Sequence, residues 1–102
     1  MFRQYSTGSG AISVALDPGR DYQLDSLRLH FSAAAANENF TVTLDSVAGA
    51  EYDAVVLTQS TNGITDYVYQ WTREPSFRNG DILKFACVNT NLRTWGLEVI
   101  WR

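Results

Sequence analysis

Apolar and polar residues alternate along most of this chain. In AISVALDPGR, Ile12, Val14 and Leu16 share one phase, and Asp17-Pro18-Gly19 then signals a turn. In SLRLHFS, Leu27, Leu29 and Phe31 alternate with Arg28, His30 and Ser32, and in NFTVTLDS, Phe40, Val42 and Leu44 alternate with Thr41, Thr43 and Asp45. A period of two with one apolar phase predicts half-buried antiparallel strands. YDAVVLTQ reads as a further strand, and Asn62-Gly63 after it is the commonest dipeptide of a two-residue hairpin turn. ITDYVYQWT then carries Tyr67, Tyr69 and Trp71 in one phase, and REPSFRNGD is a connection. ILKFACV places Leu83, Phe85 and Cys87 together, and the last segment places Trp95, Leu97, Val99 and Trp101 opposite Gly96, Glu98 and Ile100.

With a short first strand around Phe2 to Ser6, this makes about eight strands at the spacing of sandwiches and barrels. The expectation is one all-β domain over residues 1–102, a single antiparallel β-sandwich with a jelly-roll-like arrangement. SAAAANEN could form one helical turn capped by Ser32, but a loop fits as well, because four alanines cannot offset helix nucleation. The chain stops on TWGLEVIWR, so this final segment is expected to be tied down by its own fold or by another chain.

Composition narrows the function classes. Apolar residues reach 45% and aromatics 13%, enough for a core without disulfides or metals. A net charge of -3 argues against general binding to nucleic acid or to an anionic membrane, either of which needs a basic excess. Neither partner is expected. MFRQYSTGSG lacks the apolar run of a signal peptide, and no segment approaches the ~18 apolar residues of a membrane span. The protein is thus expected to be made and kept in a cytoplasm, or carried out of it within an assembly.

Candidate chemistry is sparse. The single histidine, His30, falls on a polar phase with no second histidine or cysteine beside it to share a metal. The single cysteine, Cys87, falls on an apolar phase, where a thiol is usually a small hydrophobe. STGSGA has no following lysine or helix for phosphate binding. Asp17, Asp21 and Asp25 surround a turn, and Asp17 and Asp81 fit turn residues that bond their own backbone. No catalytic residue, cofactor or metal is expected, although a calcium site assembled from separate loops stays open.

The aromatic row is the feature with functional content. Tyr67, Tyr69 and Trp71, followed by Arg73, put flat rings about 7 Å apart on one strand face. Such a row stacks sugars, anchors a partner chain, or is simply core. Tyr69, Trp71, Arg73, Phe77, Ile100 and Trp101 are accordingly the candidate interface or ligand contacts. Ile100 is included because an apolar residue on the polar phase of the last strand suggests a covered face.

FRNGDILKFACVNTNLRTWGLEVIW resembles the C-terminal half of small β-sandwich proteins of tailed bacteriophage virions. DYQLDSLRLHFSAA and NFTVTLDSVAGAEYDAVVLTQS fit earlier strands of the same kind of protein. The resemblance implies a non-enzymatic virion component assembled in the host cytoplasm: a capsid decoration or cement protein, or a tail-associated one. It also implies a homo-oligomer whose partner is a major capsid protein or another virion protein. No functional residue comes with it. The alternative reading is a carbohydrate-binding sandwich or a fibre-associated adhesion protein that takes a glycan.

Overall fold

The computed structural model of the protein describes residues 1–102. Its strands are β1 (Phe2–Gly8), β2 (Ile12–Leu16), β3 (Tyr22–Phe31), β4 (Asn39–Asp45), β5 (Ala54–Ser60), β6 (Asp66–Gln70), β7 (Ser76–Phe77), β8 (Ile82–Cys87) and β9 (Trp95–Trp101). A single turn of 3-10 helix, Ala50–Tyr52, lies between β4 and β5. One sheet has the order β1-β9-β3-β6, with β7 also paired to β3; the other has the order β2-β8-β4-β5. Every pairing is antiparallel. Setting the two-residue β7 aside, this order is the double Greek key of a jelly roll. The all-β sandwich expected from the alternation is therefore present.

The core follows the predicted phases. Ile12, Leu16, Leu27, Leu29, Phe31, Phe40, Val42, Leu83, Phe85, Leu97 and Val99 are each no more than 2% exposed. Phe40 and Phe85 stack across neighbouring strands with centroids 6.4 Å apart. Burying one such side chain contributes about 1.5–3 kcal/mol relative to leaving it in water. The final strand β9 lies inside its sheet, between β1 and β3.

Three expectations are corrected and one open choice is resolved. Asn62-Gly63 does not close a hairpin, because β5 pairs with β4 in one sheet and β6 with β3 in the other. The turn is a crossing between sheets, strapped to the 32–38 loop by Gly63 N–H on the Ala35 carbonyl (3.1 Å) and by the Thr61 hydroxyl on the Ala36 carbonyl (2.8 Å). The alanine segment is that loop, not a helix, with Ala35 buried. The connection after Trp71 holds β7, which sends Phe77 into the core against Tyr22, 5.2 Å between centroids.

Asp25 supplies the third correction: it is a buried strand residue, not a turn residue. On β3, Leu24 faces Trp101 and Ser26 faces Ile100, so Asp25 is the extra residue of a bulge. This is why Tyr22 and Leu24 point inward in one phase and Leu27, Leu29 and Phe31 in the other. The Asp25 carboxylate accepts from the Ser26 hydroxyl at 2.9 Å and from Arg102 at 3.2 Å, and Arg102 also reaches Glu74 at 2.9 Å. Gln23 and Arg102 exchange backbone bonds of 2.8 and 2.9 Å.

The Ser26 hydroxyl, and after it Arg102, hold the Asp25 carboxyl below the usual aspartate range against the opposing effect of burial. A lowered folded-state pKa means the charged form stabilises the fold above the unfolded value, near 4, and that this contribution is lost as pH falls through the folded value. Asp25→Asn should therefore be less stable than the parent at neutral pH, with the gap narrowing below about pH 4. Thermal unfolding of both from pH 7 to pH 2 checks this; a gap independent of pH would refute it.

Candidate functional site

The aromatic row sits on edge strand β6 and turns inward. Tyr67, Tyr69 and Trp71 are half-buried and pack against the core. Tyr69 meets Trp71 edge-to-face at 4.7 Å, and Tyr67 meets Tyr69 at 6.3 Å. Tyr69 and Trp71 thus spend part of their ring surface on each other and on the core. Burial and the neighbouring Tyr69 push the Tyr67 hydroxyl up. Arg73 is exposed on the following turn.

Phe77 and Ile100 are 8% and 6% exposed, so they offer almost nothing to a partner. Ile100 does lie on the outer phase, but Arg3 on β1 and Ser26 on β3 flank it there. The Arg3 guanidinium lies 3.6 Å from the Glu98 carboxylate on the same face. Trp101 is half-buried, stacked on Phe2 at 5.8 Å, and Arg20 lies over the Phe2 ring, 4.9 Å from its centroid. Of the six candidates only Tyr69 and Trp71 meet one another; Phe77 lines a groove with Tyr22 and Ser76 instead, and the six do not share one surface.

The two outer sheet faces differ in chemistry. On the β1-β9-β3-β6 face, Glu98 sits between Arg3 and Arg28, with Arg28 Nε 3.5 Å from its Oε1, an oxygen buried without a hydrogen-bond partner. His30 Nδ1 meets Asp66 at 2.8 Å across β3 and β6. Arg3, Glu98 and Arg28 are thus paired across strands, with both arginines exposed and Glu98 largely covered between them, and His30 and Asp66 meet at exposed positions.

The β2-β8-β4-β5 face is nearly free of charge. Strand register aligns Ser13, Ala86, Thr41 and Thr58 in one row and Ala15, Lys84, Thr43 and Val55 in the next. Lys84 alone is charged among these, and it is spent on Asp45 at 3.2 Å. Short side chains leave most of this face flat; at one end a groove of about 330 Å³ is lined by Thr43, Asp45, Asp53, Val55 and Lys84, and Val55 and Val88 stand exposed. Thr41 and Thr43 read as polar-phase positions, and Ser13, Ala15, Lys84 and Ala86 fall opposite the apolar phases of their strands, but YDAVVLTQ shows no phase; the meeting of these residues on one surface depends on pairing between distant strands.

The remaining nucleophile and ligand candidates are occupied structurally. Burial, more than any other influence, pushes the Cys87 thiol up. Its Sγ contacts Glu38, whose carboxylate also accepts from the Thr90 N–H and hydroxyl at 3.0 and 2.8 Å. The Tyr22 hydroxyl, buried and close to Asp81, is pushed above its usual range, and it donates to the Asp81 carbonyl at 2.9 Å. No three of the histidine, cysteine, aspartate and glutamate side chains gather around one point.

No protein-family model and no curated protein matches the chain. Among solved structures, one titled "Structure of infectious bursal disease virus Gx strain" aligns with 99% of this chain and 29% of its own, at 11% identity and a TM-score of 0.35. The chain thus spans less than a third of that structure's length. A likeness of this degree carries no argument, and the jelly roll rests on strand order alone.

Proposed function

We propose that this jelly roll is a non-enzymatic structural component of a virion, a decoration protein that lies on a shell and touches neighbouring copies of itself. The observation that carries the reading is the flat, charge-poor face of the β2-β8-β4-β5 sheet. A solvated sheet face normally carries long charged side chains, as the opposite face of this molecule does. Alanine, serine and threonine in their place lower the desolvation cost of covering the surface. Jelly rolls occur in virus shells and in lectins alike, so the fold is compatible with the reading without deciding it.

Area shapes the proposal further. Four strands of about five residues, at about 4.8 Å spacing and 3.4 Å rise, give a plane on the order of 300 Å². Stable pairwise interfaces use about 800 Å² per partner. One face by itself is therefore a weak contact, useful where a repeating shell multiplies it. Tailed-bacteriophage particles are the setting that the sequence resemblance suggests.

Ala86→Arg puts a long charge in the middle of this face while leaving the core untouched. Empty shells assembled from a major capsid protein, where the flanking genes encode one, should carry the unmodified protein down through a sucrose cushion, and the variant should stay in the supernatant with its melting temperature unchanged. If the unmodified protein fails to sediment with the shell, or the variant sediments equally, the reading fails.

A further inference from the structure

A second surface lies at one end of the sandwich, away from the flat face. The β4–β5 loop presents Val47 and Tyr52, 57% and 62% exposed, beside a groove of about 510 Å³ that Arg78 also lines. A further groove of about 600 Å³ beside Arg78 is lined by Asp21, Tyr22, Gln23, Ser76, Phe77 and Arg102; there the Asp21 carboxylate accepts from the Asn79 N–H at 2.8 Å, and Arg102 is paired with Asp25 and Glu74. Ser76 and Arg78 line both, so the two open grooves meet at these residues and make a trough with Arg78 between its halves.

The trough is built on a buried carboxylate. Asp81, 6% exposed, accepts from the backbone N–H groups of Val47 and Arg78, each at 2.9 Å. Asp53 ties the same loop by accepting from the Ser46 N–H at 2.7 Å. Gly80 sits so close to Val47 that a Cβ there would lie 2.7 Å from Cγ2, and its φ of 97° is one that other residues rarely adopt. Two loops from different parts of the chain are thus locked together, with Val47, Tyr52 and Arg78 held on the outside. Arg78 is exposed, and its guanidinium makes no ion pair or hydrogen bond within the chain.

We infer that this trough docks an extended segment of a partner protein that carries a carboxylate next to an aliphatic or aromatic side chain. The unpaired Arg78 supplies the charge complement: a guanidinium holds a carboxylate through two parallel bonds, better than any other side chain. Val47 and Tyr52 supply the apolar contact, and tyrosine and arginine are the residue types that dominate binding energy at interfaces. An open trough on both sides of the cation fits an extended chain better than a small acid, which would need an enclosed pocket. Because the loops are already fixed, little ordering cost attends binding. The inference does not depend on the flat sheet face, since Ala86 lies outside the trough.

Two blocked heptapeptides test it, one with a Glu-Leu-Glu-Phe centre and one with glutamine in place of both glutamates. Titrated into the isotope-labelled full chain, the glutamate peptide should shift the amide signals of residues 46–52 and 76–81, and the glutamine peptide should bind about tenfold more weakly. Arg78→Gln, whose parent side chain supports nothing else in the fold, should erase that difference. Tyr52→Ala should weaken both peptides. The inference is overturned if neither peptide shifts those signals, if the two bind equally, or if their difference survives in Arg78→Gln.

Discussion

Asn89→Ala should cost this small domain about 3 to 4 kcal/mol, a fall in melting temperature of roughly 12 to 30 °C. Asn89 is 1% exposed. Its amide donates to the carbonyls of Gly10 and Arg93 at 2.8 and 2.9 Å, and its Oδ1 accepts from the Arg93 N–H at 3.1 Å. Truncation leaves these groups short of a partner at about 1 kcal/mol each. The backbone adds to the loss, because φ is 53° here, and alanine pays about 1 kcal/mol in the left-handed region that asparagine tolerates.

Two further substitutions separate these causes. Asn89→Gly removes the bonds but accepts the backbone, so it should recover about 1 kcal/mol relative to alanine. Asn89→Asp keeps the acceptor for the Arg93 N–H and turns two donated bonds into repulsion between oxygens. Urea unfolding of the three variants checks the order, with glycine above alanine. An alanine variant within 1 kcal/mol of the parent would mean that the β8–β9 turn holds itself, through the Leu92 N–H on the Asn89 carbonyl at 2.9 Å.

Asn89 also illustrates what a sequence conceals. The dipeptides around it read correctly as a turn, yet nothing local says that the same side chain reaches back to Gly10. Strand positions were legible because a two-residue period is a property of each segment alone: Leu27, Leu29 and Phe31 are core for the reason that makes them alternate. Pairing is a property of two segments. Asn62-Gly63 has the chemistry of a hairpin turn, but β4 and β3 compete successfully for the strands on either side. The bulge at Asp25 changes the phase within one strand, and only the register against β9 shows it.

The same distinction governs the candidate surfaces. Alternation on β6 separates Tyr67, Tyr69 and Trp71 from Val68 and Gln70, but it does not say which set faces in. The sandwich chose the aromatics for the interior and left Val68 66% exposed. Ile100 stood out by phase and is indeed on the outer face; its cover comes from its own chain rather than from a partner. Val47 and Tyr52 had a weak signal of their own, as apolar residues in a segment, SVAGAEYD, that belongs to no alternating run. The neutral sheet face had none, since it takes four strands to bring Ser13, Ala86, Thr41 and Thr58 together.

Asp81→Ala should destabilise the protein by about 3 kcal/mol, because hydrogen bonds to a buried charged acceptor contribute about 1.5 to 3 kcal/mol each and two backbone donors lose theirs. The loss should be concentrated at one end of the sandwich. Val47 and Arg78 lie in loops joined through this carboxylate, while the strands β4 and β8 beside them keep their own ladder. Amide exchange at Val47 and Arg78 should therefore accelerate far more than at Val42 or Phe85 in the variant. Asp81→Asn keeps the shape but turns one oxygen into a donor that opposes a backbone N–H, so it should recover about half of the loss. Uniform acceleration across the whole chain would instead make Asp81 a general support of the fold. If acceleration stays local, Asp81→Ala should also abolish the preference for the glutamate peptide while Arg78 is still present, because the trough recognises its ligand only when the two loops that frame the cation are held in place.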